Sequence, residues 1–284
     1  MKTNKWFILF VLLFCRCAFD ETHKDMYLTP KQFGITVSPA GDCFPTVKDK
    51  YIYKIVPGTK EWQTFKSTED AYKACQLPAR KLKSMSTAGL IDALINAPMF
   101  TAMYYLANCG SEIQWRGQYQ SLNSGKELFK RKDAGSALMA YYHLTSLVCV
   151  VDRYATLVRE YEDIRDSGGS RDYRDVTKQD IRVSDDFKKL QGLQWLFAEE
   201  EILDKLSYYQ KKEAVAALLA DYEQRPDFTR SIFLTAYVML AADYEPIVEL
   251  YNNDADFQWG IKNRAIYKLD FLISFANDFI NEKN

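Results

Sequence analysis

The chain has 284 residues, of which 48% are hydrophobic, 14% are aromatic and 26% are charged. This composition excludes a disordered tail, a collagen-like repeat and a low-complexity linker. The 37 basic and 38 acidic residues nearly cancel, so the sequence does not predict a nucleic-acid partner. Gly (12) and Pro (8) are scarce, which argues against an all-β sandwich with its frequent turns.

The N-terminus is predicted to be a secretory signal peptide over residues 1–17. Two lysines precede an apolar run of nine residues, which is too short to span a bilayer and matches a signal sequence. We therefore expect an exported protein that is periplasmic, at the cell surface or secreted, with no transmembrane segment after cleavage. Lipidation of Cys15 or Cys17 is the alternative to simple cleavage.

Four cysteines follow the predicted signal peptide, at Cys43, Cys75, Cys109 and Cys149. Export permits disulfides, and four cysteines allow three pairings that the sequence does not separate. Their spacing matches no zinc motif, so no metal site is predicted. Cys75 and Cys149 lie in apolar helical patterns, which favours buried free thiols at these two positions.

Residues 18–66 are predicted to be an extended arm with little regular structure. A short strand is expected over 51–56, ended by the turn residues Pro57 and Gly58. Helical periodicity starts at residue 67, and Ser67 and Ser86 are expected to cap the first two helices.

The N-terminal helical half is predicted to extend over 67–164. Pro98 should open a third helix, and further helices are expected over about 121–131 and 133–164. The last of these is long and strongly apolar through 141–151.

A charged loop or linker is predicted over 165–186, because half of its residues are charged and it contains Ser-Gly-Gly-Ser. Helices resume over 187–284, and the one over 229–243 is apolar on nearly every side, so it should be centrally buried. We therefore predict an all-α fold of stacked helical hairpins, either an α-solenoid of the HEAT type or an irregular bundle.

Four motifs lie between residues 51 and 134. They read Y-x-Y-x-x-x-P-G-T-x-E-W from Tyr51, C-Q-x-P from Cys75, M-S-T from Met85 and E-L-x-x-R-x-D-A from Glu127. Together they resemble an uncharacterised family of exported, mostly helical proteins of gut anaerobic bacteria. The resemblance covers about 51–165 and implies a bacterial cell-envelope origin, export and helical architecture. It implies no catalytic residues.

The motif residues also have structural explanations of their own. The Trp62 ring is expected to anchor the arm onto the first helices, and Pro78 should end a helix. Glu127 and Arg131 are spaced i,i+4 and can pair on one helix face. The residues predicted to have structural roles are Trp62, Cys75, Pro78, Met85, Glu127, Arg131 and Asp133.

The sequence contains no metalloprotease, serine-hydrolase or nucleotide-binding motif. It has two histidines: His23 in the arm and His143 on an apolar helix. We therefore predict no catalytic residue, no metal ligand and no cofactor. The acidic run Glu199–Glu201 is expected to lie on a solvated helix face, because successive helical residues point in different directions.

Three Tyr-Tyr pairs are the remaining candidates for a binding surface. Adjacent helical residues lie about 100° apart, so one ring of each pair is expected to face the core and the other a groove. The candidate groove residues are Tyr104, Tyr105, Tyr141, Tyr142, His143, Tyr208 and Tyr209.

These observations favour a non-catalytic, exported helical binding or scaffold module for an unknown protein or glycan ligand. The alternative is an extracytoplasmic hydrolase that acts on carbohydrate or peptidoglycan through paired carboxylates. Two close, buried carboxylates with raised pKa values in a deep pocket would favour the enzyme. A shallow aromatic groove would favour binding.

Overall fold

The computed structural model describes residues 30–39, 41–99, 113–166, 178–226, 229–265 and 270–282. Within these ranges the chain is almost entirely helical, so the predicted all-α class is confirmed. Several predictions concern positions outside the described residues, namely the signal peptide, the helix expected after Pro98, and residues Cys15, Cys17, His23, Tyr104, Tyr105 and Cys109.

The first described segment contains a 3₁₀ turn, Pro30–Phe33, and two short antiparallel strands. Strand β1 (Ile35–Thr36) pairs with β2 (Thr46–Val47), with Ile35 opposite Val47. The strand expected over 51–56 is wrong, because these residues have no strand partner within the described ranges. The Tyr53 side chain instead lies buried, and its hydroxyl donates to the Ala93 carbonyl over 3.0 Å.

The helices before residue 167 are short, apart from the last one. They are α1 (Lys60–Gln63), α2 (Thr68–Ala74), α3 (Ala79–Ser84), α4 (Thr87–Ile95), α5 (Ile113–Ser121), α6 (Asn123–Leu128), α7 (Ala134–His143) and α8 (Leu147–Asp166).

The helices after residue 177 complete the fold. They are α9 (Lys178–Trp195), a 3₁₀ turn (Leu196–Ala198), α10 (Glu200–Leu203), α11 (Tyr208–Gln224), α12 (Arg230–Ala241), α13 (Glu245–Asn253), α14 (Ala255–Asn263) and α15 (Asp270–Asn281). Helix α9 thus begins inside the segment predicted as a charged linker, so residues 178–186 are helical and not a loop.

Both predicted caps are present. Ser67 and Asp70 form a reciprocal capping box at α2, in which each side chain accepts a hydrogen bond from the other residue's backbone N–H. At α4 the Ser86 hydroxyl accepts from the Gly89 N–H over 3.0 Å and donates to Asp49 Oδ1 over 2.8 Å. The second cap therefore also ties the N-terminal arm to the helices.

The single long helix predicted over 133–164 is wrong. The chain forms α7 and α8, which are bent by 60° at residues 144–146. The Ser146 N–H donates to the Cys43 carbonyl over 2.9 Å, and its hydroxyl accepts from the Cys149 N–H. Ser146 thus starts a new helix beside the arm, and the apolar pattern does not reveal this break.

One hydrophobic core extends through both halves of the chain, from Ile35 to Phe279. Helices α11, α12 and α15 pack against one another, and α4 packs against α6, α7 and α9. Most residues of α12 are buried, from Ser231 to Met239, which confirms the prediction of a central helix.

A disulfide joins Cys43 in the arm to Cys149 on α8. The expectation that Cys149 is a free thiol is therefore wrong, whereas Cys75 is buried and free as predicted. Cys43 packs with Leu147, Val150 and Leu190 in a small second cluster. The bond therefore anchors the arm across α8 and α9.

No single helix among the described residues has the length and apolar character needed to cross a membrane. By length and composition alone, two bent helix pairs pass the same test: α7 with the first part of α8, and α12 with α13.

Candidate functional site

The candidate tyrosines Tyr141 and Tyr142 are both buried, at 0% and 5% exposure. The Tyr141 hydroxyl donates to Asp92 Oδ1 over 3.0 Å, and the Tyr142 hydroxyl donates to the Asp221 carboxylate. Neither ring lines a groove, in contrast to the expectation from their adjacent positions. Both hydroxyls reach carboxyl groups inside the protein, which explains how a polar tip is tolerated there.

The other described candidates do not form a groove with them. Tyr208 is partly exposed, its hydroxyl donates to Glu282 Oε2, and its ring packs on Phe279 with centroids 5.5 Å apart. Tyr209 is half-buried on α11, and His143 is exposed at the end of α7. Of the candidate pairs, Tyr141, Tyr142 and Tyr208 therefore make contacts within the protein and do not line a common groove.

The residues predicted to have structural roles lie within or beside the packed helices. Glu127 Oε1, in the last turn of α6, lies 3.2 Å from Nε of Arg131, which follows the helix. Trp62 packs against the core and against Phe65. The remaining positions follow the same pattern: Cys75 and Met85 are buried, Pro78 immediately precedes α3, and the Asp133 carboxylate accepts from the Thr87 hydroxyl.

A buried ion pair lies where α5, α10 and α14 approach one another. Glu199 is completely buried, and its Oε1 accepts from Arg264 Nη2 over 2.7 Å. Arg116 Nε lies 3.7 Å from the other carboxylate oxygen. The sequence predicts a solvated face for the run that starts at Glu199, so this burial is a correction.

The environment of Glu199 explains its role. Burial raises the pKa of its carboxyl group, while the guanidinium groups of Arg264 and Arg116 oppose that change. A buried ion pair is a poor source of net stability, because both ions lose their hydration. It does hold the Arg264 side chain in one orientation.

Arg264 is the most distinctive side chain of this region. It is 6% exposed, follows α14 in the left-handed conformation with φ 54°, and lies over the Trp195 ring at 5.4 Å from the centroid. Its Nη1 atom is buried and has no hydrogen-bond partner among the described residues. A guanidinium with an unused donor is uncommon in a native interior, because the missing bond costs free energy.

Arg264 lines a cleft of about 480 Å³ between α5, α12, α13 and α14, which we call the arginine cleft. Arg116 and Lys262 bring two further positive charges, and Glu200 is the acidic residue of the lining. Tyr237 and Tyr251 form an aromatic wall. Its volume is within the range of about 300–1,000 Å³ that is usual for small-molecule sites.

A second pocket of about 290 Å³ lies between the N-terminal arm, α4 and α9. We call it the aspartate pocket, since Asp42, Asp92 and Asp186 line it together with Lys50 and Lys189. Its lining is more polar than that of the arginine cleft.

Asp92 is the buried carboxyl group of the aspartate pocket, at 2% exposure. Its Oδ1 accepts from Tyr141, while its Oδ2 is buried without a hydrogen-bond partner in the part of the chain that the structure describes. Burial raises the pKa of Asp92, and the charges of Lys50 and Lys189 act against this change. Oδ2 is therefore the oxygen of Asp92 whose hydrogen-bonding capacity is unused within the described residues.

The sequence did not point to either pocket. Arg264 and Glu199 are 65 residues apart, and Asp92 lies within an otherwise apolar helix. The one available signal was Asp92 itself, because an acidic residue within a buried apolar helix needs a hydrogen-bond or charge partner.

Within the described ranges, no group of three or more His, Cys, Asp or Glu side chains could hold a metal ion. Comparison with known protein families, with curated proteins and with solved structures gave no match to this chain.

Proposed function

We propose that this chain is an exported, non-catalytic binding module that holds an anionic group of its ligand in the arginine cleft. The observation behind this proposal is the buried Nη1 of Arg264, which lines the cleft and lacks a partner among the described residues. A carboxylate or phosphate oxygen would supply the missing acceptor.

The geometry around Arg264 supports this choice of ligand. Glu199 uses one side of the guanidinium, and Trp195 restrains its plane. The guanidinium is therefore oriented before a ligand arrives, which lowers the entropic cost of binding. Arg116 and Lys262 add positive charge at the cleft, and this charge attracts an anion.

The rest of the lining indicates what accompanies the anionic group. Tyr237, Tyr251 and Leu240 provide an apolar surface on which a ring can lie. We infer a ligand with one carboxylate or phosphate next to a ring or another apolar part.

Export is part of the proposal and is supported by the predicted signal peptide. The disulfide between Cys43 and Cys149 also supports it, because such bonds persist mainly in oxidising compartments. The resemblance to exported proteins of gut anaerobic bacteria points the same way.

Hydrolysis by paired carboxylates is the second candidate, and the aspartate pocket would be its location. Asp92 and Asp186 are both buried there, at 2% and 7% exposure. A hydrolase needs both groups available to its substrate, whereas Asp186 Oδ1 lies 3.2 Å from Lys189 Nζ in an ion pair. We therefore rank binding above hydrolysis.

Calorimetric titration tests the binding proposal. Benzoate, glucuronate and inorganic phosphate serve as anionic probes, and benzamide and glucose as their neutral counterparts. We expect at least one anion to bind tenfold or more tightly than its neutral counterpart, with affinity that falls as salt rises. Arg116→Met and Lys262→Met should each weaken binding about fivefold.

Lys126→Met is the matched control, since Lys126 is exposed on α6 and lies outside the cleft lining. Equal loss in this control, or equal affinity for neutral and anionic probes, would contradict the proposal. Release of reducing ends from polysaccharide or peptidoglycan would replace it with the hydrolase alternative.

A further inference from the structure

We propose that the aspartate pocket is a second, separate binding site, and that it takes a neutral polyhydroxylated ring of monosaccharide size. This inference does not depend on the arginine cleft, because the two pockets share no lining residue.

The buried Oδ2 of Asp92 is the first argument. Asp92 belongs to the pocket lining, and this oxygen has no hydrogen-bond partner among the described residues. The neighbouring Oδ1 is fixed by Tyr141, so the carboxyl group cannot rotate away without losing that bond. A ligand hydroxyl is the kind of group that would complete its hydrogen bonds.

The charges around the pocket do not favour a ligand of either sign. Three carboxyl groups (Asp42, Asp92 and Asp186) and two ammonium groups (Lys50 and Lys189) line it, and Asp186 is already paired with Lys189. A hydroxyl group both donates and accepts, so several hydroxyls on one ring can use carboxylate oxygens and ammonium groups together. The mixed lining therefore fits a neutral polyol better than a metal ion, a phosphate or an amine.

The wall formed by the arm fits a ring-shaped ligand. Phe44 lines the pocket and offers an apolar surface for the C–H face of a sugar. The segment that carries it is fixed by the disulfide at Cys43 and by Arg153, whose Nη2 donates to the Gly41 carbonyl over 2.9 Å. The wall is thus in place before a ligand binds, which favours recognition of a rigid ring.

Saturation-transfer NMR on the full mature chain tests the proposal. The neutral probes are glucose, galactose and N-acetylglucosamine, and the charged probes are glucosamine and galacturonate. We expect at least one neutral sugar to bind in the millimolar range, with affinity at least fivefold greater than that for its charged analogue.

Three variants assign the binding to this pocket. Asp92→Asn keeps an acceptor for Tyr141, and Lys50→Met changes an exposed residue of the lining. Each should weaken sugar binding threefold or more. Lys73→Met is the control, because Lys73 is exposed and pairs with Glu69 away from the pocket. Circular dichroism verifies that each variant is folded.

The outcomes are distinct. Loss of binding in Lys50→Met, with or without a folded Asp92→Asn protein, supports the site. The proposal is overturned if no neutral sugar binds, if charged analogues bind equally well, or if Lys50→Met binds like Lys73→Met. Arg116→Met and Lys262→Met change the arginine cleft and leave the aspartate pocket intact. The proposal is therefore also overturned if only these two variants lose sugar binding.

Discussion

Asp221, on α11, offers a quantitative test of the hydrogen-bond chain that links it to Tyr142, Gln194 and Ser231. Its carboxylate accepts from Tyr142, whose hydroxyl accepts from Gln194 Nε2 over 3.1 Å, and the same amide donates to the Ser231 hydroxyl. Burial raises the pKa of Asp221 from 3.8 to about 6, although the bond from Tyr142 opposes this. The folded protein therefore holds a proton that the unfolded chain has already lost between these pH values.

The sign of the stability change follows from this difference. A carboxyl group with a raised pKa in the folded state does not destabilise the protein below pH 3.8, where it is protonated in both states. Its destabilising effect grows as the pH rises from 3.8 to about 6. At 1.36 kcal/mol per pH unit, the cost of Asp221 above pH 6 is about 3 kcal/mol at most, since the residue is only partly buried.

Asp221→Asn removes this cost while it retains the shape of the protonated acid and an acceptor for Tyr142. We expect the free energy of unfolding to rise by about 1–3 kcal/mol at pH 8 and by less than about 1 kcal/mol at pH 4. Urea unfolding followed by far-UV circular dichroism at pH 4, 6 and 8 measures both values.

Asp204→Asn is the control, because it makes the same chemical change at a residue that is exposed at the end of α10. The reasoning about burial is refuted if Asp221→Asn is less stable than the wild type at pH 8. A gain of the same size at every pH would likewise refute it.

Four further predictions concern stability and use the same urea assay. Gly125→Ala should destabilise the protein by more than about 2 kcal/mol, because its Cβ would lie 2.1 Å from the backbone oxygen of residue 119. Gly117→Ala should instead stabilise α5 by about 0.5–1 kcal/mol, because no described atom lies within 4 Å of its Cβ; equal effects would contradict the packing there. Serine at both Cys43 and Cys149 should cost about 2–5 kcal/mol, because the bond closes a loop with a sequence separation of 106, and a reducing agent should have no further effect on that variant. Arg264→Ala should cost about 3–5 kcal/mol, because it removes the nearer partner of the buried Glu199 carboxylate and leaves only Arg116, at 3.7 Å; a loss below 1 kcal/mol would mean that the pair is solvated.

Local signals predicted the parts of the fold that depend on local chemistry. Serine hydroxyls accept hydrogen bonds from backbone N–H groups at the start of a helix, and both Ser67 and Ser86 act as such caps. The continuous apolar face of 229–243 predicted a central helix, because such a segment is stable only when it is covered on all sides.

Features that depend on distant contacts were not predictable in this way. The break between α7 and α8 occurs in an apolar run and is fixed by the arm, through Ser146 and the Cys43 carbonyl. The arginine cleft is not evident from the sequence, because Arg264 and Glu199 are 65 residues apart and come together only in the folded chain. The tyrosine pairs did not predict a groove correctly, because Tyr141 and Tyr142 are both buried and their hydroxyls donate to the carboxyl groups of Asp92 and Asp221.

The continuous interior has a consequence for how this chain can be divided. Side chains as far apart in the sequence as Ile35 and Phe279 belong to one apolar cluster. The two halves of the chain therefore share a core, and neither half has a separate one. A fragment that ends near residue 166 would expose to water the apolar side chains of α4 and α7 that the later helices cover. Expression of separate halves, or exchange of one half with another protein, is therefore a poor strategy, and work on either pocket requires the uncut polypeptide.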